Sequence, residues 1–276
     1  MKTKIAVVIV CHDSGAVLPL AMSSLEKQRL QPDLIVLVDN GSSDQRYLEP
    51  YRSRQNVTLL FQENTGFAAA NNRGVEAVPC DISYLLFLNP DALLHETYLE
   101  QAVSAMNRAG MRKAGVLCGL TYWYDLQKNC SSQRIDSTGL FRSWYGRWYD
   151  RGHGEMAAGH YNTIEQVPGA CGAVMFCRKR ALQDVAVDGR IFDERFFLYK
   201  EDIELSLRLR KHGWEIWFVP DLVAYHSRGW SPRRRAMARD RRLMSAKNEL
   251  LLYRLHPSPC IVWAFMKYLL VRYANV

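Results

Sequence analysis

Asp81-Ile-Ser-Tyr-Leu-Leu-Phe-Leu-Asn-Pro-Asp91 is the stretch whose reading decides the architecture. Its middle, Tyr84 to Leu88, is an unbroken aromatic and aliphatic run, too short for a free-standing helix and suited to a strand covered on both faces. Such a strand lies at the centre of a sheet. Pro90 ends the ladder, because it has no N–H to donate and pushes Asn89 into an extended conformation. Asp91 is thereby delivered to the carboxyl edge of the sheet, where ligands of open α/β folds sit and where a carboxylate can seat a divalent cation and the phosphates it bridges. A plainer role competes on equal terms: Asp91 as the cap of a helix beginning at Ala92.

Upstream, Ile5 to Val10 reads as a second buried strand, with Cys11-His-Asp-Ser-Gly15 leaving its carboxyl end. Leu18, Leu20, Met22 and Leu25 fit a helix facing the sheet. Leu34 to Val38 and Val57 to Phe61 follow as strands, separated by the turn-rich Asp39-Asn-Gly-Ser-Ser-Asp44. Alternating strands and helices predict a parallel, doubly wound α/β sheet. The loops carrying His12 and Asp13, Asp39, and Asp91 then converge on one edge. Asp39 is placed there to accept a hydrogen bond from a base or ribose hydroxyl, or to close an Asx turn with Gly41. Asn64-Thr-Gly-Phe-Ala-Ala-Ala-Asn-Asn-Arg-Gly74 opens a helix with Asn64 or Thr65 as cap, small residues on one face, and Arg73 available to a phosphate. The Gly-x-Gly-x-x-Gly spacing is absent, which argues against a nicotinamide or flavin cofactor.

Downstream, a helix is expected over Glu96 to Arg108 and a strand over Ala114 to Leu120. From Tyr122 to Tyr161 aromatic residues lie among Gly, Ser, Arg and Asp with no clear period, the composition of a lid or binding loop facing an acceptor, or of a satellite packing cluster. Val167 to Cys177 is a glycine-punctuated turn leading into a strand. Ile203 and Leu207 then repeat at helical spacing and Gly213 is the stop, so Glu201 and Asp202 sit at a helix N-terminus, where the backbone dipole favours their ionised form. Ionised, they could serve as a general base, although acids in a first turn are also common helix decoration. Trp214 to Pro220 reads as a strand, and His226 beyond it as a metal ligand or a hydrogen-bonded structural histidine. Arg228 to Arg242 is densely basic, Leu243 to Leu255 is an amphipathic helix, and the apolar Ile261 to Val271 is too short to span a bilayer. These segments suit an anionic membrane surface, or a charged helix packed on the domain.

Composition bounds the rest. With 276 residues, 48% hydrophobic and 23% charged, the chain can bury one sizeable core with an appended subdomain. A net charge of +8 attracts nucleic acid, anionic lipid or nucleotide phosphates without choosing among them. Seven cysteines without a C-x-x-C pair signal neither a disulfide framework nor a zinc site. Together with an N-terminus that leaves no room for a signal peptide's apolar segment, this predicts a reducing, cytoplasmic setting. The simplest partition is a catalytic domain over 1–231, its donor-binding half about 1–120 and its acceptor-facing half about 121–231, with a helical extension over 232–276.

Val38-Asp-Asn-Gly-Ser-Ser-Asp44, Asn64-Thr-Gly-Phe with Asn71-Asn72-x-Gly74, Leu88-Asn-Pro-Asp91, Gly169-Ala-Cys-Gly-Ala, Phe192 to Asp202, and Val219-Pro with His226 occur in one order. Together they resemble the inverting family 2 glycosyltransferases of GT-A fold, a Rossmann-like architecture, and within them the bacterial rhamnosyltransferase-like branch. The resemblance implies a nucleotide site at Asp13, Asp39, Asn64, Gly66 and Arg73, with Asp39 on the base. It implies Mg²⁺ or Mn²⁺ at Asp91 and His226, a base at Asp202 of the Glu201-Asp202 pair, and acceptor-facing Trp148, Gly169 and Ala170. The partners it implies are a dTDP- or UDP-sugar, rhamnose foremost, and a saccharide or lipid-linked saccharide acceptor. Cys11-His-Asp13 stands where the family usually has Thr-Tyr-Asn, and the Asp-x-Asp motif is reduced to Asn89-Pro-Asp91. Two other classes answer to the same features: a nucleic-acid-binding protein using the basic C-terminal region, and a nucleotidyltransferase.

Overall fold

The computed structural model describes residues 3–227 and 238–274. The strands are β1 (Ile5–Cys11), β2 (Leu34–Asn40), β3 (Val57–Gln62), β4 (Tyr84–Leu88), β5 (Ala92–Leu94), β6 (Ala114–Asp125), β7 (Cys130–Ser137), β8 (Leu140–Arg142), β9 (Trp148–Asp150), β10 (Glu165–Gln166), β11 (Val174–Arg178) and β12 (Glu215–His226). The helices are α1 (Leu18–Glu26), α2 (Phe67–Glu76), α3 (Tyr98–Met106), α4 (Lys179–Asp184), α5 (Glu201–Lys211), α6 (Arg239–Leu255) and α7 (Ile261–Tyr273).

All five residues of β4 are buried, as the run Tyr84 to Leu88 requires, and β4 sits inside a large sheet of order β10-β12-β6-β11-β4-β1-β2-β3. Alternate residues of β1 feed two cores. Ile5, Val7 and Ile9 pack with Leu18, Met22 and Leu25 of α1 and with α3, whereas Ala6, Val8 and Val10 pack with Ala68 and Ala70 of α2 and with Leu205 and Leu209 of α5. The result is a sheet covered by helices on both faces. It is parallel among β3, β2, β1 and β4, and mixed beyond, because β11 runs antiparallel to both β4 and β6. Strand order reverses between β1 and β4, the switch point where a ligand crevice opens in such sheets.

Close helix–sheet approach is fixed at Gly74. A Cβ there would lie 2.4 Å from Val8 Cγ1 and 3.2 Å from Val38 Cγ2. Gly74→Ala is therefore expected to destabilise the fold by about 1–3 kcal/mol through overpacking, although alanine is the better helix former by about 1 kcal/mol. Thermal denaturation checks this, and an unchanged or raised Tm would contradict it.

Several expectations are corrected. No helix begins at Ala92: residues 92–94 form β5, antiparallel to the end of β12, and the helix starts only at Tyr98. The strand expected to end at Pro220 continues to His226 across a register shift between Val219 and Val223, which takes the proline out of the ladder. Tyr122 to Tyr161 is not wholly irregular, since β6 runs on to Asp125 and β7, β8 and β9 follow. Of the basic run, Arg228 to Arg235 lies outside the described residues. No described helix is long and apolar enough to cross a membrane.

Candidate active site

At the carboxyl edge the register sets Cys11 of β1 beside Asp39 of β2 and Asp39 beside Phe61 of β3. Their loops are stitched together. The Asp13 carboxylate accepts hydrogen bonds from Ser43 N and Ser43 Oγ at 2.8 Å, and Asp13 N donates to Ser42 Oγ. The Ser43 N–H and hydroxyl hold this exposed carboxyl below its ordinary range. Asp39 is fully buried and accepts from Gln45 Nε2 (2.9 Å), Tyr47 OH (3.1 Å) and Ser42 N (3.3 Å). It closes its turn with Ser42, not Gly41, and organises the loop from within. Asn40 Oδ1 takes Thr65 N and Gln62 Nε2, and Asn40 Nδ2 donates to Asn64 Oδ1.

Asn64 is thus part of the crevice wall, but neither it nor Thr65 caps α2. The N-cap is Gly66 at φ 94°, and a Cβ there would lie 2.6 Å from the Phe197 ring and from the Phe197 carbonyl oxygen, to which Phe67 N donates. Only glycine fits both the left-handed backbone and that approach. Helix α2 thus starts beyond the carboxyl end of β3 with its first N–H taken by Phe197. Arg73, seven residues on and about 10 Å down the helix, lies in the last turn and pairs with Glu76 at 3.0 Å. It does not reach a phosphate at the helix start.

The end of β4 meets the end of β12. Pairing of Ala92 with His226, and a bond from Ser227 N to Asp91 O, bring His226 Nε2 to 3.2 Å from Asp91 Oδ1. His226 Nδ1 bonds the Asp136 carboxylate at 2.9 Å, and His153 Nδ1 lies 3.5 Å from the other Asp136 oxygen. Burial works against a charged His226 ring, yet the bonds and charges of Asp136 and Asp91 outweigh it and push its pKa up to about 9. Asp136 was not singled out from the sequence. Cys130 to Arg134 is largely solvent-exposed and lacks alternation, so the fully buried Asp136 near the end of β7 reads as loop polarity.

The donor set fits a hard divalent cation completed by other oxygens. Among the described residues no three His, Cys, Asp or Glu side chains are arranged to hold an ion, so the protein offers one carboxylate and one imidazole. Asp91 and His226 would hold such an ion; here they approach each other as an ion pair at 3.2 Å. Beside them the buried Asn89 Oδ1 has no hydrogen-bond partner among the described residues, and Asn89 Nδ2 lies 3.5 Å from His226 Nε2. An orphaned acceptor at that position is what a bound cation or donor hydroxyl would satisfy.

Asp202 enters from the opposite wall of the same edge. Its Oδ2 accepts from Gly172 N at 2.9 Å and its Oδ1 from Ile203 N at 2.8 Å, while the next residue, Ala173, accepts from Asn89 N at 2.8 Å. Asp202 and the Asn89-Pro-Asp91 turn are therefore two hydrogen bonds apart through the Gly172–Ala173 segment. Enclosure raises the Asp202 pKa, opposed by the Gly172 and Ile203 N–H groups and assisted by Asp150. Glu201 is 5% exposed, its Oε2 has no hydrogen-bond partner among the described residues, and burial together with the Asp202 charge pushes its pKa strongly up. Burial raises both acids, and they differ in that Asp202 is bonded by Gly172 N of a neighbouring segment.

Ahead of them, Tyr199 (φ 75°) and Lys200 (φ 73°) adopt left-handed backbone that non-glycine residues seldom take. Asn248 of α6 holds this bend by donating to the carbonyls of Leu198 and Tyr199 at 2.8 Å, and Lys200 lies 3.8 Å from the buried Glu249. The residues expected to face the acceptor stand behind this wall. Trp148 packs with Leu140, Phe196, Ile203 and Leu252, and Ala170 is fully buried with its N–H on Ser206, one turn below Asp202. A Cβ at Gly169 would lie 3.2 Å from Ser206 Oγ. All three are buried, and none presents a surface to an acceptor.

A switch-point crevice with a helix start, a carboxylate–imidazole pair and a second, backbone-held carboxylate defines a nucleotide-dependent group-transfer site. Residues 3–245 match the family model described as glycosyltransferase like family 2, and the chain belongs to that family. It is a glycosyltransferase. It is 26% identical over 252 residues, 85% of this chain and 79% of the relative, to the N-acetylglucosaminyl-diphospho-decaprenol L-rhamnosyltransferase of Mycobacterium tuberculosis. Over 149 residues, half of this chain and 47% of the relative, it is 26% identical to the succinoglycan biosynthesis protein ExoW of Rhizobium meliloti. The fold matches GalNAc-T7, crystallised with UDP, GalNAc and Mn²⁺, at a TM-score of 0.69 and 16% identity, covering 91% of this chain and 48% of that one. It also matches residues 1–349 of S. aureus TarS at 0.56 and 16% identity, covering 99% and 72%.

Proposed function

We propose that the chain transfers a sugar, rhamnose foremost, from a dTDP- or UDP-linked donor to a hydroxyl of a lipid-linked saccharide, with inversion, in bacterial cell-surface polysaccharide synthesis. The work is done in the cytoplasm, peripherally at the inner face of the membrane, by a catalytic domain over 1–231 carrying a helical extension over 232–276. The observation that carries the reading is the junction of Asp202 with the Asn89-Pro-Asp91 turn through Gly172 and Ala173.

In this reading the loops stitched by Asp13 and Asp39 seat the nucleoside, and the amide groups opening α2 face the diphosphate. Direct base recognition by Asp39, which is fully buried, requires the Gln45 or Tyr47 side chain to move aside. Asp91 and His226 would hold Mg²⁺ or Mn²⁺, with Asn89 beside them. When bound, that ion supplies Lewis-acid stabilisation of charge on the departing diphosphate. Asp202 removes the proton of the attacking hydroxyl on the face opposite the leaving group, which inverts the anomeric centre.

A panel of nucleotide sugars screened by thermal shift with Mn²⁺ and with EDTA tests this. A metal-dependent rise in Tm is expected with one donor class, and Asp91→Ala should remove the metal dependence of nucleotide binding by calorimetry. Equal responses of wild type and variant would move the ion elsewhere. Release of pyrophosphate in place of a nucleoside phosphate would make the protein a nucleotidyltransferase.

A further inference from the structure

Helix α7 carries an apolar stripe that no other described residue covers. Val262, Trp263, Phe265, Met266, Leu269, Leu270 and Tyr273 are all at least 36% exposed, whereas Ala264 and Val271 face inward. At 100° per residue the seven fall on an arc of about 160°. Half of the large exposed apolar side chains of the described chain are on this one helix. Scattered single exposures are ordinary, but a contiguous stripe marks a contact surface.

The stripe continues onto a second element. The turn joining β8 to β9 projects Trp144, 92% exposed, between the exposed Arg142 and Arg147. The Trp144 ring meets Tyr145 edge to face at 5.4 Å, and Tyr145 meets Trp263 of α7 at 5.3 Å. Tyr253 OH of α6 donates to the carbonyl of Gly146, which ties the turn to the helical extension. At its base the hairpin is fixed to the active site, because Trp148 packs against Ile203, the residue after Asp202.

We propose that α7 and the Trp144 turn form one surface that docks on an anionic bilayer, laying the stripe among the acyl boundary and setting Trp144 and Trp263 at headgroup level. The chemistry selects that occupant over a second copy. Indole rings and arginines around an apolar stripe match an anionic interface, whereas two copies face to face would bring Arg142, Arg147 and Arg272 of like charge together in a chain of net charge +8. At about 20 Å, a helix of 13 residues is shorter than the roughly 30 Å hydrocarbon core and suits lying in the interface plane. For its purpose the surface rests on the lipid-linked acceptor proposed above, since hairpin and base share one wall. Its test does not depend on that reading.

Co-sedimentation of the full chain with vesicles of phosphatidylcholine, with and without phosphatidylglycerol, is the experiment. Binding is expected to the anionic vesicles, weakening with salt, and Trp144→Ala and the pair Phe265→Ser with Leu269→Ser should each lower the bound-to-free ratio at least about tenfold. These side chains are exposed, so Mn²⁺-dependent UDP binding should be unchanged and reports that the fold and donor site survive. No binding to anionic vesicles overturns the proposal, as does binding indifferent to both variants. A concentration-dependent dimer abolished by the same substitutions would assign the stripe to a second copy and overturn it too. If no nucleotide sugar is turned over while vesicle binding holds, the glycosyl-transfer reading falls and the docking surface stands.

Discussion

Asp202→Asn is expected to leave donor binding intact and to lower sugar transfer at least about 100-fold, as removal of a general base should. The substitution keeps shape, and its amide oxygen can still accept from one of Gly172 N and Ile203 N while its NH₂ stands opposite the other, so a modest fall in Tm with the fold kept is expected. What it loses is the ability to take a proton. Glu201→Gln should behave differently and retain most activity, because burial keeps that carboxyl protonated and a neutral acid is no base. The pH profile separates the two further. Since enclosure raises the Asp202 pKa, the acidic limb of kcat/KM should lie above the ordinary carboxylate range, with an apparent pKa that belongs to the coupled pair. Stability has the opposite slope. The folded chain keeps the Glu201 proton where the unfolded chain has lost it, so stability falls as pH rises from the ordinary carboxyl range to the raised folded value, and Glu201→Gln should flatten that fall. Near-normal transfer by Asp202→Asn, or a large loss in Glu201→Gln alone, would reverse the assignment.

The carboxyl edge of the sheet was legible in the sequence because buried parallel strands are written as unbroken apolar runs. Ile5 to Val10, Leu34 to Val38 and Tyr84 to Leu88 announce themselves, and what leaves their carboxyl ends is then fixed by direction alone. The Glu201-Asp202 pair was legible as a helix start, but not that Gly172 N, thirty residues away, would bond Asp202. Arg73 misled because a cation near an anion site in sequence need not be near it along a helix axis. Trp148 misled because aromatic residues in an irregular segment look alike whether they line a cleft or plug a hydrophobic joint. The left-handed Tyr199-Lys200 bend has no sequence signature, as neither residue is glycine, and it persists through Asn248, some fifty residues on. Asn248 of α6 thus braces the bend ahead of Asp202 from across the boundary drawn at 231.

Asp136→Asn is expected to weaken metal-dependent nucleotide binding about 10- to 100-fold while leaving metal-independent nucleotide binding unchanged, the usual cost of losing the carboxylate behind a ligand histidine. The geometry makes this a demanding position. Asp136 accepts from His226 Nδ1 at 2.9 Å, which fixes the ring so that Nε2 points at Asp91 Oδ1. An amide can still accept that bond, but it carries no charge to raise the basicity of the ring, and its NH₂ faces His153 where a carboxylate oxygen stood. His226 should then hold an ion less firmly although its own atoms are untouched. Calorimetry of UDP or dTDP titrated with and without Mn²⁺ separates the two components. If wild type and variant show the same Mn²⁺ dependence, His226 does not act through Asp136, and the ring is a structural strut between two strand ends. Loss of binding in both conditions would instead mean that Asp136 holds the end of β7 in place, a role that thermal denaturation of the variant would reveal by a lowered Tm.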